Sequence, residues 1–482
     1  MDLTPQQLLQ GLRNTSQQGL QAEGIDILRH LLIATREDPK QLGREWEEVY
    51  NYALAFADED AALGVAERLM EVFPNNAKHV FSLAERLSRL GRSEHALEIM
   101  RRLEKAAPAN PAIDYFLGVY SGQVGELDDA NSYFRRALDK KADFGDAWSL
   151  LASSGGLSDQ DETLLTRLVE AGEGHAMPGT AYALGSLLHG QGRYDDAWAA
   201  WEKANQFERA RRPFNREGEL TAHRAIREAD EKIPLSSEAS EFPNPLPRSI
   251  FVVGLPRSGT SLTEQIIAQQ KNVCPLGEAM ISRVATWPLG NLSEQSLIGA
   301  GVMGPQATEL WDKIGGVYRF CAGSRTKGQS HVTDKGALLH LFLGALARGM
   351  KEAKFVWVRR DPRDLALSAW RAYFGDGKRW RNELSDMAAY IAAHDELMTY
   401  WKSRFPKRIH EVQYEKLVND PQTETNRLMD FLALPRLDMA STDFSSASVG
   451  TASFAQIRSK ISPASVGGWK NYEKFIGPAS DL

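Results

Sequence analysis

Residues 254–261 read Gly-Leu-Pro-Arg-Ser-Gly-Thr-Ser, which puts two glycines, three hydroxyls and one arginine in a single short stretch. Such a set is suited to an anion. Backbone N–H groups at a helix start point outward, hydroxyls donate, and a guanidinium fork grips phosphate oxygens in pairs. The flanks support that layout. RSIFVV (Arg248–Val253) is short, apolar and β-branched, which predicts a buried parallel strand. LTEQIIAQQ after the loop predicts a helix with Leu262, Ile266 and Ile267 as its apolar stripe. The spacing from Gly254 to Gly259 is that of a phosphate loop, but Thr260 stands where a nucleotide triphosphatase needs lysine. The loop is therefore fitted for one phosphate and poorly fitted for a magnesium triphosphate. A purely structural glycine turn is the plain alternative.

A second charged stretch lies about a hundred residues on: KFVWVRRDPRDLALSAWRAYF, Lys354–Phe374. Lys354–Val358 again predicts a strand, and the residues after the Arg-Asp-Pro step predict a helix. An arginine at a strand end (Arg360) and a serine two turns into the next helix (Ser368) can converge on one phosphate. Arg363 and Asp364 fit a structural role. A solvated charge cluster is the competing reading of the whole segment.

Together these two stretches resemble the sulfotransferases that use 3′-phosphoadenosine 5′-phosphosulfate (PAPS). The branch most similar includes protein-tyrosine sulfotransferases and bacterial fusions of tetratricopeptide (TPR) repeats with a sulfotransferase. The resemblance implies that Arg257, Ser258, Gly259, Thr260 and Ser261 hold the 5′-phosphosulfate end, and that Arg360 and Ser368 hold the 3′-phosphate. It also implies that Tyr414, in EVQYEKLVNDP, contacts the nucleotide, against the alternative of a core tyrosine. TASFAQIRSKISPASVGGWKNYEKF resembles a closing segment over the adenosine phosphates, with Ser453, Trp469 and Lys470 as candidates, although the family's proline is displaced there.

Sulfuryl transfer needs a base for the acceptor hydroxyl, cations for the leaving phosphate, and in-line positioning. Glu278, in CPLGEAM, is the expected base by the family's Gly-Glu pair. The tyrosylprotein branch has a second glutamate where this chain has Ala279, which argues against assuming a tyrosine acceptor. Lys335, in HVTDKGALL, is the expected cation near the bridging oxygen, with Arg257 as the alternative; Gly336-Ala337 replaces the family's x-Pro. A helix-start charge for Glu278 and a surface lysine for Lys335 are the plain readings. No metal is expected. His331, His340, His394 and His410 have no partners in sequence and read as structural, and no GxSxG elbow occurs.

The elements before this region carry a repeat. Leu83 and Leu117, Gly91 and Gly125, Ala96 and Ala130, and Pro74 and Pro108 are each 34 residues apart, as are Ala62 and Ala96. Leu184, Gly185, Gly192 and Ala197 follow Leu117, Gly118, Gly125 and Ala130 by 67 residues, so a degenerate copy must lie near Asp146–Glu170. Each copy predicts two antiparallel helices, with glycine ending the first, a small alanine at the crossing and proline at the exit. The period resembles the TPR over roughly residues 40–210. Such an array has two possible uses: a surface for a protein partner, or packing on its own C-terminal domain.

The expected architecture is thus an α-helical TPR solenoid (1–235), a Pro/Ser-rich linker (236–247) and an α/β P-loop-like sulfotransferase domain with a central parallel sheet (248–482). The chain has 482 residues, 43% hydrophobic and 25% charged, with a net charge of −6, which gives no reason to expect nucleic acid as a partner. Two cysteines, Cys274 and Cys321, make no metal spacing and read as buried free thiols in a reducing compartment. With neither a signal-peptide pattern nor a membrane-span pattern, a cytoplasmic location is expected. The acceptor stays open among protein tyrosine, a glycan, a lipid head group and a small molecule.

Overall fold

The computed structural model describes residues 3–18, 21–56, 58–74, 76–172, 177–242, 247–290, 292–374, 378–442, 444 and 461–477. The first half is helical throughout. Between residues 77 and 211 the helices come in pairs: Ala77–Arg89 with Ser93–Ala106, Pro111–Val124 with Leu127–Lys140, Gly145–Ser153 with Glu162–Ala171, and Met177–Gly190 with Tyr194–Arg211. The degenerate copy is thus a real pair with a shortened first helix. Gly91, Gly125 and Gly192 all take positive φ (73, 102 and 75), which lets each first helix stop without a Cβ penalty. A second repeating device is the close crossing of a glycine and an aromatic ring. A Cβ on Gly118 would meet Phe134 at 2.5 Å, and one on Gly185 would overlap the Trp201 indole.

Five strands follow: β1 (Arg248–Val253), β2 (Val273–Pro275), β3 (His331–Gly336), β4 (Lys354–Arg359) and β5 (Ile409–Gln413). Their order in the sheet is β2-β3-β1-β4-β5. The pairs β2/β3, β1/β4 and β4/β5 run parallel. The chain folds as an all-helical first half followed by an α/β region on a parallel sheet. Among the described residues no helix is long and apolar enough to cross a membrane.

Two compact units emerge, and each draws on both sides of the Pro/Ser-rich stretch. One comprises Met1–Ala106, Glu228–Ser249 and Asn272–Ala353. Its core gathers Leu9, Leu12, Leu28, Trp46, Val49 and Ala53 with Val284. The described part of the stretch at 236–247 is fastened within this unit. Ser237 Oγ accepts from Trp311 Nε1 at 2.9 Å, and the Ala239 N–H donates to the Arg348 carbonyl at 2.9 Å. Cys321 is buried, Cys274 is half-buried, and both are free thiols.

The other unit comprises Ala107–Arg227, Ile250–Lys271 and Lys354–Leu482. Here the later repeat helices share one core with helix Pro362–Trp370 and the C-terminal segment. Trp198 stacks on Trp370 at 5.1 Å and on Phe475 at 5.0 Å. Asn205 Nδ2 donates to the Trp370 carbonyl at 3.0 Å, and buried Arg381 donates to Tyr182 Oη at 2.5 Å. Within this unit, then, the helical repeats pack on the C-terminal part of their own chain.

Candidate functional site

Parallel register decides where the phosphate-binding candidates meet. β1 pairs with β4 so that Val253 faces Trp357, and β4 pairs with β5 so that Arg359 faces Gln413. Parallel strands in this register end side by side, so the segments that follow them emerge at one edge, the usual ligand edge of an open parallel sheet. Gly254, Arg360 and Tyr414 are each the first residue beyond their strand. Only glycine suits position 254, because a Cβ there would lie 2.7 Å from the Val358 carbonyl oxygen.

The loop bends twice through left-handed backbone, at Arg257 (φ 74) and Gly259 (φ 105). Helix Thr260–Ala268 then starts without a side-chain cap, leaving its first N–H groups facing outward. A Cβ on Gly259 would sit 2.5 Å from the Tyr414 ring, so ring and loop lie in contact. Positive φ at Arg257 is unusual for a non-glycine residue and stores backbone strain at this turn.

The two expected phosphate motifs meet directly. Arg257 Nε donates to Ser368 Oγ at 3.0 Å, and Arg360 Nη1 donates to the Arg257 carbonyl at 3.0 Å. Arg360 lies over the Tyr414 ring at 4.7 Å, its Nη2 donates to the Ser465 carbonyl at 2.8 Å, and its Nε is buried without a hydrogen-bond partner. The Tyr414 hydroxyl meets Ser465 Oγ at 2.9 Å. These side chains line a cavity of ≈ 640 Å³ together with Thr260 and Ser261. That size suits a nucleotide-sized ligand. Ser258 points elsewhere: it is buried in the turn, and its Oγ has no partner.

Asp364 secures the covering segment. Its carboxylate accepts from the Gly467 N–H at 2.6 Å and the Trp469 N–H at 3.0 Å. Trp469 lies against Arg363, with the guanidinium 4.1 Å from the ring centre. Gly468 and Asn471 line the cavity, whereas Lys470 is exposed and lies outside its lining. Ser453 lies outside the described residues.

Two cavity residues, Arg371 and His189, were missed by the reading of the sequence. Arg371 ends the Ser368 helix, three positions on and so on the same face, a spacing that could have flagged it. His189, on repeat helix Met177–Gly190, also lines the cavity. Its partner Tyr472 is 283 residues away in sequence, so no local pattern could have found it. The cavity is strongly cationic. Burial, and then the neighbouring charges of Arg371 and Arg360, push the Arg257 guanidinium down to about 10. Burial also lowers Arg371, opposed by Tyr472 and reinforced by Arg360. A bound anion would relieve this crowding.

Glu278 and Lys335 belong to the other compact unit. Lys335 sits on β3 and is buried, not on the surface, and its N–H donates to the Gly277 carbonyl at 2.9 Å. Its ammonium lies 3.7 Å from Glu278 Oε1, and the Glu278 side chain is 54% exposed. Glu278 precedes helix Ile281–Ala285 and lies outside its first turn, so it is not a helix-start charge in the usual sense. Among the described residues no three His, Cys, Asp or Glu side chains gather as metal ligands.

Residues 247–438 match the sulfotransferase family. The matched segment holds β1 to β5 and all of the candidate residues up to Tyr414. An uncharacterized protein of Aquifex aeolicus is 26% identical over 335 residues, covering 67% of this chain and 43% of that protein. The chain thus spans less than half the length of that relative. Among solved structures, the sulfotransferase domain from the Synechococcus PCC 7002 olefin synthase is 18% identical, with a TM-score of 0.34, covering 51% of this chain and 98% of that one. A sulfotransferase from Alicyclobacillus acidocaldarius is 14% identical, with a TM-score of 0.28, covering 50% of this chain and 93% of that one.

Proposed function

We propose that this chain is a PAPS-dependent sulfotransferase acting on a hydroxyl acceptor. The observation that carries the reading is the meeting of Arg257, Arg360, Ser368 and Tyr414 around one cavity at the open start of helix Thr260–Ala268. A bisphosphorylated adenosine needs cationic donors for two phosphates, and the cavity offers them from two strand ends. The loop N–H groups, Thr260 and Ser261 would receive the 5′-phosphosulfate, Arg360 and Ser368 the 3′-phosphate, and Tyr414 the nucleotide between them. Buried Ser258 then shapes the turn and does not touch the ligand.

Glu278 is the proposed base, supported by the family's Gly-Glu pair and by its ion pair with Lys335. Its carboxylate takes the acceptor's hydroxyl proton as the acceptor oxygen bonds to sulfur. The bond from sulfur to the phosphate oxygen breaks, and a cation meets the charge released on that phosphate: Lys335 by the family's pattern, with Arg257 as the alternative. Thr260 in place of the P-loop lysine argues against a kinase or NTPase. A scaffold with an inactive nucleotide domain would bind the nucleotide without turnover. The acceptor classes that this reading admits are protein tyrosine, a glycan, a lipid head group and a small molecule.

Calorimetry with adenosine 3′,5′-bisphosphate and with ATP–Mg tests the donor. Tighter binding of the bisphosphate, lost in Arg257→Ala, is expected; a preference for ATP–Mg that survives the substitution sinks the reading. Transfer of labelled sulfate from PAPS to a cell extract then separates the enzyme from the scaffold.

A further inference from the structure

We propose that Arg371, held in place by His189 from the helical repeats, forms a third cationic wall of the cavity and sets its preference for a nucleotide bearing a 3′-phosphate as well as a 5′-phosphate. The inference rests on the donor reading above and adds residues that the two phosphate motifs do not contain. Arg371 follows Ser368 on the same helix face and lines the cavity beside Arg257 and Arg360. It is therefore placed at the Ser368 end of the site, where its charge also bears on Arg257.

The way Arg371 is held keeps its charge available. Its Nη1 lies 3.1 Å from His189 Nε2, and His189 Nδ1 lies 2.7 Å from the Tyr472 hydroxyl. A guanidinium has donors only, so His189 Nε2 must accept. The imidazole proton is then on Nδ1, where it is donated to Tyr472. His189 is thus a neutral acceptor, and burial together with the Arg371 charge pushes it down to about 4. A carboxylate in the same place would orient the arginine and also cancel its charge. Asp364, the nearby acid, has its oxygens engaged by the N–H groups of Gly467 and Trp469. His189 comes from a repeat helix and Tyr472 from the covering segment, so the repeats are a structural part of the nucleotide site. In this account His189 is a positioning residue and Arg371 a binding residue.

The test is calorimetry of the full chain with adenosine 3′,5′-bisphosphate and with 5′-AMP, alongside thermal melts. Arg371→Gln should weaken the bisphosphate about tenfold or more, the usual effect of losing a charge-assisted hydrogen bond, and change 5′-AMP by less than about threefold. His189→Ala should move in the same direction, and adding it to Arg371→Gln should cost little more, because the two act as one unit. His189→Gln, which keeps an acceptor and a donor, should restore much of the preference. Equal losses for both nucleotides, or full additivity in the double variant, overturn the inference. Failure of the donor reading would show differently: wild type itself would then bind neither nucleotide.

Discussion

Arg257 makes opposite demands on folding and on binding, and replacing it by glycine separates them. Its φ of 74 is comfortable only for glycine. Left-handed backbone costs a side-chain-bearing residue about 1–2 kcal/mol. Its charge is crowded by Arg371 and Arg360. Against this stand one hydrogen bond to Ser368, net about 1 kcal/mol, and the greater unfolded-state freedom of glycine, about 0.5–1 kcal/mol. These opposing terms nearly cancel, so Arg257→Gly should leave stability within about 1 kcal/mol of wild type. Arg257→Ala loses the same hydrogen bond yet keeps the strain, and should be less stable than Arg257→Gly by about 1 kcal/mol. Both should weaken adenosine 3′,5′-bisphosphate by about 10- to 100-fold, the loss of a charged donor from a phosphate site. Urea titration of the unit's tryptophan fluorescence and calorimetry of the nucleotide measure the two halves. If Arg257→Gly binds the bisphosphate as wild type does, the loop is only a turn. If Arg257→Ala is the more stable of the pair, the strain argument is wrong.

Further outcomes follow from the same geometry. Gly259→Ala would drive a Cβ into the Tyr414 ring at a φ of 105, so it should abolish bisphosphate binding in calorimetry and destabilise the fold by about 1–3 kcal/mol. Glu278→Gln should lower sulfate transfer from PAPS by about 10²–10⁴-fold with donor affinity nearly unchanged; unaltered turnover would remove Glu278 as base. Gly185→Ala, which overlaps Trp201, should lower the melting temperature and weaken nucleotide binding with it, since the same helix carries His189. His189 is held neutral down to about 4, whereas an ordinary imidazole takes a proton near 6.5. Between those values the unfolded chain binds more protons, so stability should fall as pH drops from 6.5 to 4. The slope of melting temperature against pH should be shallower in His189→Gln than in wild type.

What the sequence could determine was whatever depends on near neighbours in the chain. The strand at Arg248–Val253, the loop with its two glycines and the following helix were legible because apolar runs, glycine and hydroxyls act locally. The paired helices were legible because each copy solves the same packing problem, with Gly118 under Phe134 and Gly185 under Trp201 at one offset. The short strands β2 and β3 were not, and so Lys335 could be read as a surface lysine when it is buried.

Tertiary structure decided the rest. Parallel register brought Arg257, Arg360 and Tyr414 to one edge, which no spacing between them could announce. The later repeats share a core with Trp370 and Phe475, so His189, read as part of a helical repeat, lines the cavity of another segment. Burial sets which charges are held apart from solvent and which remain for a ligand. That depends on residues hundreds of positions away, and a linear pattern carries no record of them.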